Sequence, residues 1–181
     1  MPTENDPFAL AGTTQMKWPA TSSKYGVIYG DPPYLWKAYS AKGEGRSAVC
    51  HYPCMSLKEL TAFPVPDLAA KDSVLLLWAI DPLLQAALDL IKAWGFEFKT
   101  VGFYWAKINR NADPGQLSES DFFTGLGYWT RADVEQCMPA TRGHPPAWRR
   151  MFANFLSLRA GSISGSMMRF TGVSNAVPIW N

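Results

Sequence analysis

The residues of this chain best arranged for chemistry are Asp31, Pro32, Pro33 and Tyr34, an acid, two prolines and an aromatic that follow the run Tyr25-Gly26-Val27-Ile28-Tyr29-Gly30. Val27, Ile28 and Tyr29 favour extended backbone. Neither proline can donate to a sheet ladder, so the strand is expected to stop at Asp31 and leave its carboxylate at a strand end. Open α/β sheets bind ligands in the crevice beyond such ends. Average residue usage makes this string a rare accident, so a mere strand terminator is a poor account of it.

At a strand end the Asp31 carboxylate and the Pro32 carbonyl, which has no ladder partner there, present two acceptors close together. They suit the exocyclic amine of an adenine, a poor nucleophile whose lone pair is delocalised into the ring. Accepting both of its N–H bonds holds the nitrogen towards tetrahedral geometry and aims the lone pair at an electrophile. No strong base is required, because the amine becomes acidic only once alkylated. Tyr34 would offer a π-face, worth about 1–3 kcal/mol per stacked base, and a duplex would have to flip the base out. A sulfonium methyl donor is a small activated group that fits a strand-end crevice. The residues alone equally allow a carboxylate that serves a metal or a sugar.

The elements that must position these groups follow in order. Leu35 to Cys54 is polar, with Gly and Ser, and too long for a simple connection, as lids and binding loops are. Ser56 with Glu59 three residues on is a capping box and predicts a short helix closed by Pro64 and Pro66. Ser73 to Ile80 is a continuous apolar run, as in a central parallel strand covered on both faces. Asp81-Pro82 predicts a helix N-cap and first turn, and Leu84, Ala87, Leu88 and Ile91 recur at helical spacing until Gly95. Phe96 to Lys107 reads as a third strand, Ile108 to Gly127 as a second long loop, and Glu135 to Arg142 as a further short strand. The alternation of strand and helix predicts the α/β class.

Composition bounds the rest. A chain of 181 residues, 48% hydrophobic and 18% charged, buries one core and makes one domain. The net charge of +2 permits a polyanionic partner without the strongly basic footprint of a dedicated nucleic-acid binder. No apolar run approaches the ~20 residues of a spanning helix. Residues 1–20 carry Glu4 and Asp6 and no apolar signal core, so the expectation is a cytoplasmic protein with no membrane partner. Three cysteines, Cys50, Cys54 and Cys137, are an odd and sparse set that fits reduced thiols. A zinc site from Cys50, His51 and Cys54 with Cys137 or His144 lacks the second matched ligand pair, so no metal is expected. Trp78, Trp94, Trp105 and Trp129 could suggest a base-stacking module, but most of them fall at apolar strand and helix positions and read as core.

Several motifs recur together: Tyr25 to Tyr34, His51-Tyr52-Pro53 before Met55-Ser56-Leu57, Leu77-Trp78-Ala79 with Asp81-Pro82, and Trp94-Gly95-Phe96. They continue with Trp105-Ala106-Lys107, Gly125-Leu126-Gly127-Tyr128-Trp129-Thr130-Arg131, Glu135-Gln136-Cys137 and Ala140-Thr141-Arg142-Gly143. In these the chain, from Lys17 to Pro145, resembles the adenine-N6 methyltransferase family that includes the mRNA adenosine methyltransferases and many phage and bacterial DNA adenine methyltransferases. The family usually has Trp where this chain has Tyr34. The resemblance implies a Rossmann-like methyltransferase sheet with flanking helices, S-adenosyl-L-methionine as donor, and methyl transfer to adenine N6 in nucleic acid. It implies that Asp31, Pro32, Pro33 and Tyr34 are catalytic. Asp31 and Arg142 would face the donor, Arg142 near its carboxylate, and His51, Lys107, Tyr128, Trp129 and Arg131 would face the substrate. The aromatic at Tyr34 is the form common in DNA amino-methyltransferases and favours DNA over RNA.

On this basis residues 1–23 are an irregular lead-in that packs Trp18 on the core, 24–145 a partial catalytic domain, and 146–181 an atypical tail, leaving the C-terminal part of the sheet incomplete. After Gly143 the family would continue with segments close to His-Ser-Arg-Lys-Pro-Asp-Glu, Glu-Leu-Phe-Ala-Arg and Gly-Trp-Asp-x-Trp-Gly. None is here, and Ala160 to Ser174 is a Gly/Ser-rich string without helical or strand period. Back-translated one nucleotide earlier, Met167-Met168-Arg169-Phe170-Thr171 permits Asp-Glu-Val-Tyr, close to the family's own segment. The tail therefore reads as out of frame, which impairs donor binding; the alternative function is a non-catalytic nucleic-acid-binding or partner subunit of methyltransferase descent. Sequencing of the coding DNA should show a family-like frame displaced by one nucleotide beyond the codons for Gly143 to Arg150. An intact frame with no such alternative would reject that account of the tail.

Overall fold

The computed structural model describes residues 24–37, 40, 43, 45, 47–113, 115–125, 129–132 and 134–145, with the backbone of two further strands at 155–159 and 176–178. Trp18 and the lead-in lie outside the described residues.

Strand β1 (Tyr25–Gly30) pairs in parallel with β2 (Ala69–Ala79), setting Ile28 opposite Leu75 and Gly30 opposite Leu77. The chain between them holds a 3-10 turn at Ala48–Cys50 and two short helices, α1 (Leu57–Thr61) and α2 (Val65–Leu68). The expected capping box is formed: the Glu59 N–H donates to the Ser56 hydroxyl and the Ser56 N–H to the Glu59 carboxylate. Beyond β2 come a 3-10 turn (Asp81–Leu83), helix α3 (Leu84–Ala93), β3 (Glu97–Phe98), β4 (Phe103–Ile108) and β5 (Val134–Arg142). Strands β6 (Phe155–Arg159) and β7 (Ala176–Pro178) add to the two edges, so the order is β6-β4-β5-β2-β1-β7 with β3 also on β5. The sheet is mixed. β1 is parallel to β2 and β7, and β4 to β6, whereas β5 is antiparallel to β2, β3 and β4. The α/β class and Rossmann-like layering follow the expectation.

Three local expectations are corrected. The third strand is split in two, because Pro139 of β5 has no N–H to offer the strand alongside it; Lys99 and Gly102 instead donate to the carbonyls of Pro139 and Cys137. A Cβ on Gly102 would lie 2.5 Å from the Pro139 ring, which is why glycine passes there. Asp81 is not an N-cap: Ile80 holds that place, the first turn is 3-10, and the Asp81 carboxylate accepts from the Gln136 amide at 3.2 Å. The apolar run Ser73–Ile80 belongs to a strand that starts at Ala69 and has one parallel and one antiparallel neighbour.

Alternation along the strands sorts the core into two layers. Ile28, Leu75, Leu77 and Met138 face α1–α3 and pack with Leu60, Leu90, Ile91 and Trp94. Val74, Leu76, Trp78, Phe103 and Cys137 form a second cluster on the other face. α3 ends in a Schellman motif, with the N–H groups of Gly95 and Phe96 bonded to the carbonyls of Lys92 and Ile91 and Gly95 at φ 78°.

Two glycines separate backbone strain from steric conflict. At Gly95 an added Cβ meets open space, whereas at Gly143 (φ 64°) it would lie 2.2 Å from an Asp72 carboxylate oxygen and 2.5 Å from the Lys71 carbonyl. Gly95→Ala should cost about 1 kcal/mol, the left-handed penalty alone. Gly143→Ala should cost clearly more, since the Lys71 carbonyl belongs to β2. Urea midpoints decide it, and equal losses would contradict the packing described.

Candidate active site

The antiparallel pairing of β5 fixes where chemistry can occur. Ala79 at the end of β2 pairs with Gln136 near the start of β5, and Trp105 of β4 pairs with Glu135. The C-terminal ends of β1, β2 and β4 therefore meet the N-terminal end of β5. A cleft of about 440 Å³ opens there, bordered by Asp31, Tyr34, Trp78, Trp105, Lys107 and Glu135. That volume lies within the range of small-ligand sites.

The backbone after Asp31 is locked by short bonds. The Tyr34 N–H donates to the Pro32 carbonyl at 2.8 Å, closing a three-residue turn. The Met55 N–H donates to the Pro33 carbonyl at 2.7 Å, and the Leu35 N–H to the Met55 carbonyl at 2.8 Å. The expectation of an unpartnered Pro32 carbonyl is thereby corrected: one lone pair takes the turn bond, and the other remains. Tyr34 is 8% exposed and its hydroxyl donates to the Trp78 carbonyl at 3.1 Å. It is thus fixed at both ends. Trp78 in turn stands edge-on to Phe103 and Trp105, with ring centroids 5.5 Å and 6.1 Å away, and its indole N–H donates to the Tyr29 hydroxyl.

Asp31 is exposed as a residue and borders the cleft, while protein atoms crowd its carboxylate. Loss of hydration raises its pKa from 3.8 to about 6, and the nearby Glu135 carboxylate adds to the rise while Lys107 opposes it. Lys107 forms an ion pair with Glu135, and its ammonium lies 4.6 Å from the Trp105 ring centroid. Burial and the charge of Asp31 also push the Tyr34 and Tyr52 hydroxyls up.

The expected site residues divide. Asp31, Pro32 and Tyr34 border the cleft together with Lys107, although Lys107 is engaged by Glu135. His51 is exposed and donates its N–H to the Ala48 carbonyl, while its neighbour Tyr52 borders the cleft. Trp129, 101% exposed and so no core residue, and Arg131 lie between Gly125 and Ala132, which border the cleft and are joined by a 2.8 Å backbone bond. Tyr128 lies outside the described residues. Arg142 is not brought to the site. It pairs with Ser73, six residues before Ala79 on β2, and donates to the Pro66 carbonyl at 3.0 Å. At ~3.3 Å per residue that is roughly 20 Å from the cleft end of the sheet. Glu135, Trp78 and Trp105 were not assigned from sequence. They fell within the recurring motifs and at the ends of apolar runs, but which ends meet depends on strand direction.

A family profile described as MT-A70 matches residues 25–155. The chain belongs to the MT-A70 family, a family of adenine-N6 methyltransferases. It is also 35% identical over 114 residues to the Type II methyltransferase M.MunI of a Mycoplasma species, covering 55% of this chain and 49% of that protein. The chain thus spans about half the length of the curated relative it matches. Within the matched stretch, Asp31 and Pro32 both border the cleft. No helix among the described residues is long and apolar enough to cross a membrane.

The charge state of Asp31 can be read directly. Carboxylate NMR should show Asp31 losing its charge as pH falls through about 6, with Glu135→Gln lowering that midpoint and Lys107→Met raising it. Because the folded state favours the protonated form, its stabilising effect is full below 3.8 and is lost as pH rises through about 6. Asp31→Asn should therefore gain stability relative to the parent between pH 4 and pH 8. A midpoint near 3.8, or a gain that shrinks with rising pH, would contradict this electrostatic reading.

Proposed function

We propose that this chain is the catalytic part of an S-adenosyl-L-methionine-dependent methyltransferase acting on the N6 amine of adenine in DNA. The observation that carries the proposal is that Asp31 and Pro32, adjacent in the chain, both border an aromatic-walled cleft at the strand ends. The carboxylate accepts one amine hydrogen and the carbonyl's remaining lone pair the other, which turns the nitrogen lone pair away from the ring. Tyr34, held by Met55 and Trp78, presents a fixed face to the base. After alkylation the amine proton is acidic, and Asp31, with a pKa near 6, can take it or pass it to water. The donor supplies an electrophilic methyl group.

The described residues fit the base better than the donor. Asp31 and Asp81 suit the donor's cationic groups, but the described cations near the site offer no receiver for its carboxylate, since Lys107 is held by Glu135 and Arg142 lies at the far end of the sheet. This supports the view that donor binding is completed by segments that the present tail does not supply, so the chain as it stands binds donor weakly and turns over slowly. The choice of DNA rests on the aromatic at Tyr34 and on the likeness to a Type II methyltransferase.

Methyl transfer to adenine-bearing oligonucleotides, with calorimetry of donor binding, checks both parts. The frame-restored protein should form N6-methyladenine, and Asp31→Ala should lower kcat by about 10²-fold or more, as loss of a preorganised transition-state contact does. The 181-residue chain should bind donor much more weakly. Absence of methylation by the restored protein would overturn the function, and robust turnover by the present chain would overturn the account of the tail.

A further inference from the structure

Two polar atoms at the cleft have no use inside the protein. The Ser47 hydroxyl and the Trp105 indole N–H are buried without a hydrogen-bond partner, and both residues border the same cleft as Asp31. Ser47 is 2% exposed and sits at the N-cap position of the 3-10 turn Ala48–Cys50. An N-cap serine ordinarily turns its hydroxyl onto a free N–H of the first turn, yet here the side chain makes no cap bond. The indoles of Trp78 and Trp94 show the contrast: Trp78 donates to the Tyr29 hydroxyl and Trp94 to the Leu60 carbonyl at 3.2 Å. A buried donor left unmade costs more than a formed bond contributes, so such groups call for a ligand that satisfies them.

The chemistry of these atoms complements that of the amine grip. An indole N–H can only donate, and a serine hydroxyl can donate or accept. Asp31 and the Pro32 carbonyl only accept. Adenine presents an amine donor flanked by ring-nitrogen acceptors, whereas guanine presents a carbonyl acceptor at the place of the amine. Resting on the function proposed above, we infer that Trp105 and Ser47 are specificity-determining residues that donate to ring nitrogens of the target adenine. The acceptor pair selects the amine and the donor pair selects the ring, so together they read one base. Trp105 is held in place for this, since its ring meets that of Trp78 at 71° and carries the Lys107 ammonium 4.6 Å from its centroid.

The test measures binding of a single-stranded oligonucleotide with one adenine, in the absence of donor, against the same oligonucleotide carrying 1-deaza-, 3-deaza- or 7-deazaadenine. The proteins are the 181-residue chain, Trp105→Phe and Ser47→Ala. In the parent at least one analogue should bind about tenfold more weakly, the scale of one lost buried hydrogen bond. That penalty should fall towards onefold in the variant whose donor faced the deleted nitrogen. Because each penalty is a ratio within one protein, general loss of stability does not mimic it. Unchanged penalties in both variants would overturn the inference. So would variants that weaken binding of S-adenosylhomocysteine while leaving the oligonucleotide penalties intact, since the donors would then serve the methyl donor's own adenine. No adenine-dependent binding by the parent would overturn the proposed function and this inference with it.

Discussion

A carboxylate held at the end of a buried parallel strand is the constraint on which the rest of this molecule depends. β1 places Asp31 there because it pairs with β2 and two prolines forbid further pairing. The same prolines free the backbone to turn. The turn bond at Pro32 and the two bonds with Met55 then hold that turn in one conformation. Preorganisation of this kind costs folding energy at one point and removes reorganisation at the moment of reaction. The raised pKa of Asp31 is the local sign of that cost.

The surrounding charges moderate it. Glu135 raises the cost of ionising Asp31, and Lys107, paired with Glu135, reduces it. The result is a carboxylate that is ionised at neutral pH, able to accept a hydrogen bond, and still close enough to its midpoint to accept a proton. Tyr34, Trp78 and Trp105 wall part of the cleft with aromatic surface, and a polar contact made against such a surface is stronger than one made in water.

Much of this was legible in the sequence because it is local. The stop at Asp31, the capping box at Ser56, the helix ending at Gly95 and the apolar run of β2 each follow from residues within one turn or strand. What could not be read was set by partners distant in the chain. That Phe96–Lys107 breaks in two depends on Pro139 lying alongside, and that Asp81 bonds Gln136 depends on β5 running antiparallel to β2. Strand direction also decided that Glu135 reaches the site while Arg142, on the same strand, stands at its far end. The motif resemblance supplied residue identities around the site but not this geometry.

The central claim is that both hydrogens of one adenine amine are gripped by Asp31 and the Pro32 carbonyl. The most direct measurement compares the affinity of the chain for an oligonucleotide containing adenine with that for the same oligonucleotide containing purine, which lacks the amine. The account predicts that purine binds about tenfold or more weakly, with the difference largely abolished in Asp31→Ala. Equal affinity for the two bases in the parent chain would contradict it.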